Sequence, residues 1–140
     1  MCSLYGGLSL ANAKLGAIHG FAGVLGGIIS TPHGAICAAL LAACIRINVA
    51  ALRAREPTNP ALAKYEQAAR LVCQDEKATV ADLITWVDET CQICNIEPLV
   101  VPTELIDTVI TKSAGSSSMK GNPIKLTTEE LTSMLQQSSA

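Results

Sequence analysis

The sequence predicts an all-α, bundle-like domain, and three observations carry that reading. Hydrophobic residues make up 49% of the 140-residue chain but aromatics only 3%, so Ala, Leu, Ile and Val supply most of the apolar content. Ala loses no side-chain entropy in a helix and Leu little, whereas β-rich domains draw more on aromatic and β-branched residues. No alternating strand pattern of useful length occurs; Leu99-Val100-Val101 is short and lies between Pro98 and Pro102. Apolar residues recur instead at helical spacing, between cap and proline signals.

A glycine-containing apolar helix is expected over residues 3–28, with a break near Gly26-Gly27. Thr31 and Pro32 then suit an N-cap and a first helical position, opening a second helix from His33 to Arg55. Arg53 and Arg55 favour its C-terminus and Pro57 follows. A third helix, about 60–73, places Leu62, Tyr65, Ala69 and Val72 on one face. Thr79 opens a fourth, about 80–95, with Leu83, Trp86, Val87 and Cys94 expected inward. Thr103 is expected to cap a fifth, about 104–114, with Leu105, Ile106, Val109 and Ile110 as its apolar residues. A loop through Gly115 and Asn122-Pro123 leads to a capping box, Thr127 with Glu130, for a last helix over 128–137. Residues 1–137 are thus one helical domain, and 138–140 should fray.

Net charge is −2 and charged residues are 16%, which speaks against a nucleic-acid partner. Lys14 is the only Lys or Arg among the first 45 residues, and no Asp or Glu precedes Glu56. Residues 1–13 lack the basic start of a secretory signal. The apolar run after His19 falls short of the roughly 20 residues that span a bilayer. Helices buried in a larger soluble, cytoplasmic protein are the expectation, with no membrane partner. Six cysteines in that setting are read as reduced thiols, Cys37 and Cys44 as small hydrophobes in helical sequence. Cys91 and Cys94 form a C-x-x-C near a helix C-terminus, where nothing depresses a thiol pKa, and are expected to be buried or half-buried structural residues.

The chain has two histidines, His19 and His33. Fourteen residues of straight helix would hold them about 21 Å apart, too far to share a cation. A chain reversal at Gly26-Gly27 and Pro32 would let successive helices bring both rings to one point. The alternative is a pair of hydrogen-bonded core histidines, and two ligands alone are fewer than a structural or catalytic zinc site uses. The nearest acidic residue in sequence, Glu56, lies at the far end of the second helix.

Residues Ser3 to Ala22, with Gly6-Gly7-Leu8, Asn12-Ala13-Lys14 and His19-Gly20-Phe21, followed by Leu25-Gly26-Gly27 and Thr31-Pro32-His33-Gly34, resemble the C-terminal-domain signature of the iron-containing (group III) alcohol dehydrogenases. Residues 117–131 resemble the tail of one bacterial-type branch of that family. The resemblance spans essentially the whole chain and implies the helical half of the dehydroquinate synthase-like fold. It implies further that a divalent metal, Fe(II) or sometimes Zn(II), sits between this half and a Rossmann-like domain that binds NAD(P). His19 and His33 match two of the family's ligands; an Asp and a third His come from the other half. The metal would act as a Lewis acid on an alcohol or aldehyde oxygen, with hydride exchanged with the nicotinamide. Phe21 is implied near the substrate pocket, with plain core packing as the alternative; no catalytic residue beyond the metal ligands is implied.

The sequence departs from the family in two respects. Many members carry a further His and a Pro where this chain has Gly23 and Val24. No glycine-rich phosphate loop follows a strand, so the chain is read as truncated, binding neither metal nor nucleotide tightly alone and inactive by itself. Its expected partner is the missing nucleotide-binding half or a second copy. A non-catalytic helical interaction module, or a truncated paralogue pairing with a separate subunit, is the alternative, motivated by the apolar front end. Lys120 and Asn122 are read either as contacts to such a partner or as an ordinary turn.

Overall fold

The computed structural model describes residues 4, 6–8 and 13–139. Residues 4 and 6–8 are helical. Cys2, the signature residues Ser3, Tyr5 and 9–12, and Ala140 lie outside the described residues. From Ala17 onward run α1 (Ala17–Leu25), α2 (His33–Arg55), α3 (Ala61–Cys73), α4 (Val80–Ile93), α5 (Ile106–Ala114) and α6 (Thr128–Gln137), with 3-10 turns at Thr103–Leu105 and Ser117–Gly121. The described residues contain no strand, only an isolated parallel bridge between Leu99 and Ser139.

Helix α2 is the centre of the fold, with α1, α3, α4 and α6 all packed against it. One side of it, through Ile36, Leu40, Cys44 and Leu52, joins the main core with Phe21, Leu25, Val109 and Met134. Another, through Ala42, Ile45 and Val49, joins a second cluster with Ala69, Leu83 and Val87 from α3 and α4. A helix buried on opposite faces has to be apolar all round, which is why α2 carries no Asp, Glu, Lys or Arg before Arg46. Each fully buried leucine, such as Leu40 and Leu52, contributes about 1.5–3 kcal/mol. By length and composition α2 is also apolar enough to cross a bilayer, although 56% of its most apolar stretch is buried inside the fold.

Several elements differ from the sequence reading, each for a local reason. The helix expected over 3–28 is interrupted at residues 13–16, and α1 starts only at Ala17. The interruption is imposed from far along the chain. The Asn122 side-chain oxygen accepts the Ala17 N–H at 3.1 Å, and Gly121 lies directly against the backbone of Lys14 and Leu15. Pro32, not Thr31, occupies the N-cap position of α2: its ψ of 141° is extended, and its carbonyl accepts from Ala35 and Ile36. Thr103 makes no cap, and the fifth helix opens instead as a 3-10 turn after Pro102. Trp86 is 43% exposed. It lies on the flank of α4, away from the face formed by Val80, Leu83 and Val87. Cys94 falls just past the end of α4, where Asn95 takes a positive φ of 52° and turns the chain away, leaving the thiol exposed.

The capping box read at Thr127 forms, and Thr79, read only as the opening of α4, makes a second one with Asp82. Thr79 and Asp82 exchange hydrogen bonds at the start of α4, and Thr127 and Glu130 do so at the start of α6. Glu130 also pairs with Arg55 at 2.9 Å, and Arg55 donates to the Lys125 carbonyl at 3.1 Å, which pins the end of α2 to the start of α6. Ser138 and Ser139, expected to fray, are held: the Ser138 carbonyl accepts the Leu99 N–H at 2.8 Å, and both hydroxyls donate back to carbonyls of α6.

The α4 cap gives a first test. Thr79→Ala should lower stability by about 1 kcal/mol, read by urea unfolding at neutral pH. The Thr79 hydrogen bonds hold the Asp82 carboxyl below the usual carboxylate range. A carboxyl lowered on folding stabilises above its unfolded pKa and loses that contribution as pH falls through its folded value. The difference between variant and wild type should therefore narrow in acid; a gap that widens there would contradict the capping account.

Candidate metal centre

The site is built from the first turns of two successive helices. His19 is the third residue of α1 and His33 the first of α2. Between them α1 unwinds through a series of turns, Gly26 N–H to Ala22, Gly27 N–H to Val24, and Ile28 and Ile29 N–H to Leu25, and Pro32 then resets the backbone. Ile28 and Ile29 pack against the main core and fix this reversal. As a result the two imidazole centroids lie 5.5 Å apart, with the rings tilted by 53°. The reversal thus brings together the two histidines, which on one straight helix would be about 21 Å apart.

A third donor stands with them. His19, His33 and Cys37 each offer a ligand atom, all within 4.8 Å of one another. The Cys37 sulfur is 3.6 Å from His33 Nε2. The sequence reading gives Cys37 only as a small hydrophobe. The signal that could have found it is its place four residues after His33, which puts both side chains on one helix face. His19 and Cys37 are half-buried and His33 is exposed, so the three donors meet at the surface. Partial burial pushes the Cys37 thiol above its ordinary pKa. A cavity lined by Gly115, Met119, Lys120, Asn122 and Leu131 includes none of the three.

The donor set fits a divalent cation. Imidazole nitrogen and thiolate sulfur are ordinary ligands for zinc and related metals, and the three ligand atoms all lie within 4.8 Å of one another.

Other residues singled out in the sequence lie elsewhere. Phe21 is fully buried in the main core. Asn122 turns inward. Its Nδ2 donates to Asn48 Oδ1 at 2.7 Å and to the Ile124 carbonyl at 2.8 Å, and its Oδ1 holds the N-terminus of α1 two residues before His19. Lys120 is exposed. Cys91 is half-buried, with its thiol against the Ala38 carbonyl, and burial raises its pKa. Burial likewise pushes the Cys44 thiol up to about 11. Neither has the lowered pKa of a redox thiol, and the five described cysteines are all free.

The family model for the C-terminal part of the Fe-containing alcohol dehydrogenases matches residues 1–139. The chain belongs to this family. No individual curated protein matches it. The iron-containing alcohol dehydrogenase family implies iron and NAD in the intact enzyme, and its all-helical C-terminal domain is the fold seen here. Gly23 lies one turn after His19 on α1; a side chain placed there would meet nothing within 4 Å.

Proposed function

We propose that this domain supplies the metal- and substrate-facing half of an NAD(P)-dependent oxidoreductase acting on small alcohols or aldehydes, with His19 and His33 as two of its metal ligands. The observation that supports this reading best is the 5.5 Å approach of two rings fourteen residues apart in sequence. When bound, a divalent cation, Fe(II) or Zn(II), supplies Lewis-acid polarisation of an alcohol or carbonyl oxygen.

The work of this chain is to hold and aim donors. The Pro32 reset fixes where α2 begins and hence where the His33 ring stands. Asn122 fixes where α1 begins and hence where the His19 ring stands. The exposed edge of His33 leaves the site open on one side, where a nucleotide-binding half, on the same polypeptide or a separate one, would cover it and exclude water. These helices alone carry no dinucleotide-binding strand and turn, so the isolated chain is expected to turn over no alcohol. Two imidazoles alone should hold a cation only weakly.

The test is metal titration of the purified chain with Zn(II), and with Fe(II) under anaerobic conditions. His19→Ala and His33→Ala should each weaken binding by roughly tenfold or more. Stoichiometric binding that survives unchanged in both variants would remove the assignment.

A further inference from the structure

We propose that Cys37 is a third metal ligand contributed by this chain, so that His19, His33 and Cys37 together bind a thiophilic divalent cation such as zinc. The proposal rests on the reading that the two histidines hold a cation, and extends it to the ligand set and to the kind of metal selected.

The geometry of the α2 edge carries it. A tetrahedral zinc with Zn–N of about 2.05 Å and Zn–S of about 2.3 Å requires an N···S edge of about 3.6 Å. The His33 Nε2 to Cys37 Sγ separation is 3.6 Å. This edge of the set thus has the length a bound ion needs, and positions i and i+4 of a helix keep the two side chains on one face. His19 closes the third side from α1, with no donor pair beyond 4.8 Å. A tetrahedral ion needs edges of about 3.3–3.6 Å, so binding would draw the His19 ring inward by up to about 1.5 Å through side-chain rotation. No Asp, Glu, Lys or Arg occurs between Leu15 and Ile45, so this stretch offers no competing carboxylate and no repelling cation.

The chemistry balances simply. Ligation replaces the Cys37 S–H bond by a sulfur–metal bond and releases one proton to solvent. Thiolate is a soft donor, so the set discriminates against magnesium, calcium and manganese, which prefer oxygen, and in favour of zinc or its spectroscopic surrogate cobalt. A three-donor set also lets this domain hold a cation more firmly than the two imidazoles would, with a coordination position left open.

Cobalt(II) titration of the reduced, full-length chain tests this by absorption. Wild type should show a near-ultraviolet sulfur-to-cobalt charge-transfer band that saturates at one equivalent. Cys37→Ser should abolish the band and weaken binding about tenfold or more. Cys94→Ser, at an exposed thiol outside the cluster, should leave both unchanged. Cobalt bound in a histidine-dependent manner without a charge-transfer band in wild type would overturn the Cys37 ligand and leave the histidine pair standing. A band that persists in Cys37→Ser would overturn it as well, because the sulfur would then be another cysteine. No cobalt binding by folded wild type, checked by circular dichroism, would overturn the three-donor set, while the histidine pair, which alone holds a cation only weakly, would stand or fall by the His19→Ala and His33→Ala titrations.

Discussion

Asn122→Ala is expected to destabilise the domain by about 3 kcal/mol. The Asn122 carboxamide joins three distant parts of the chain. Its oxygen accepts the Ala17 N–H at 3.1 Å and an Asn48 N–H at 3.3 Å, and its nitrogen donates to Asn48 Oδ1 at 2.7 Å. Asn48 is 1% exposed and sits among apolar side chains of α2, and Ala17 is equally buried. Truncating Asn122 strands the Asn48 carbonyl oxygen and the first N–H of α1 together. Each orphaned buried group costs about 1–3 kcal/mol. Asn48 keeps its hydrogen bond to the Tyr65 hydroxyl at 3.2 Å, so the loss falls short of the whole network. Urea unfolding should show a lower midpoint at unchanged slope. A loss under about 0.5 kcal/mol, the range of ordinary surface substitutions, would mean that water replaces the side chain and that the hub has no structural weight. The same variant should also weaken metal binding, because it frees the helix start that aims His19.

The second large effect is a contrast between two glycines. A methyl group at Gly121 would fall on the Leu15 carbonyl oxygen, with Lys14 Cβ at 2.5 Å and Lys14 C at 2.8 Å. These are mostly backbone atoms of the segment that Gly121 crosses, and they cannot rotate aside. Gly121→Ala should therefore cost about 3 kcal/mol, at the upper end of overpacking, and should displace the 117–121 turn from α1. At Gly20 the methyl would meet chiefly Met119 Cε at 2.7 Å, the far end of a flexible side chain. Met re-packs readily, and alanine gains about 1 kcal/mol of helix propensity over glycine. Gly20→Ala should thus stay within about 1 kcal/mol of wild type. Thermal denaturation of the two variants side by side decides it; equal losses would refute the steric account. No glycine in the described chain takes a positive φ, so the requirement at Gly121 is closeness of approach and not backbone conformation.

What the sequence made legible follows the range of the forces involved. The span of α2, the capping box at Thr127, and the reversal between His19 and His33 rest on interactions within a few residues. Those can be read from spacing and cap chemistry. The interruption before Ala17 could not be, because it is enforced by Gly121 and Asn122, more than a hundred residues further on. Asn122 looked like a turn residue or an external contact for the same reason: its partners are invisible until the chain is folded. Trp86 and Cys94 depart from the expected inward face because one lies at the flank of α4 and the other just past its end. The four-residue offset of Cys37 from His33, by contrast, is legible in the sequence.

The placement of α2 has one more consequence. Its first turns carry His33 and Cys37, its length is wedged between two hydrophobic clusters, and its last residue is clamped to Glu130 and Lys125. Such a strut can neither roll about its axis nor slide along it without disturbing both layers at once. An arriving ion would therefore meet two donors whose bearing was set during folding, and little ordering entropy would remain to be lost at capture.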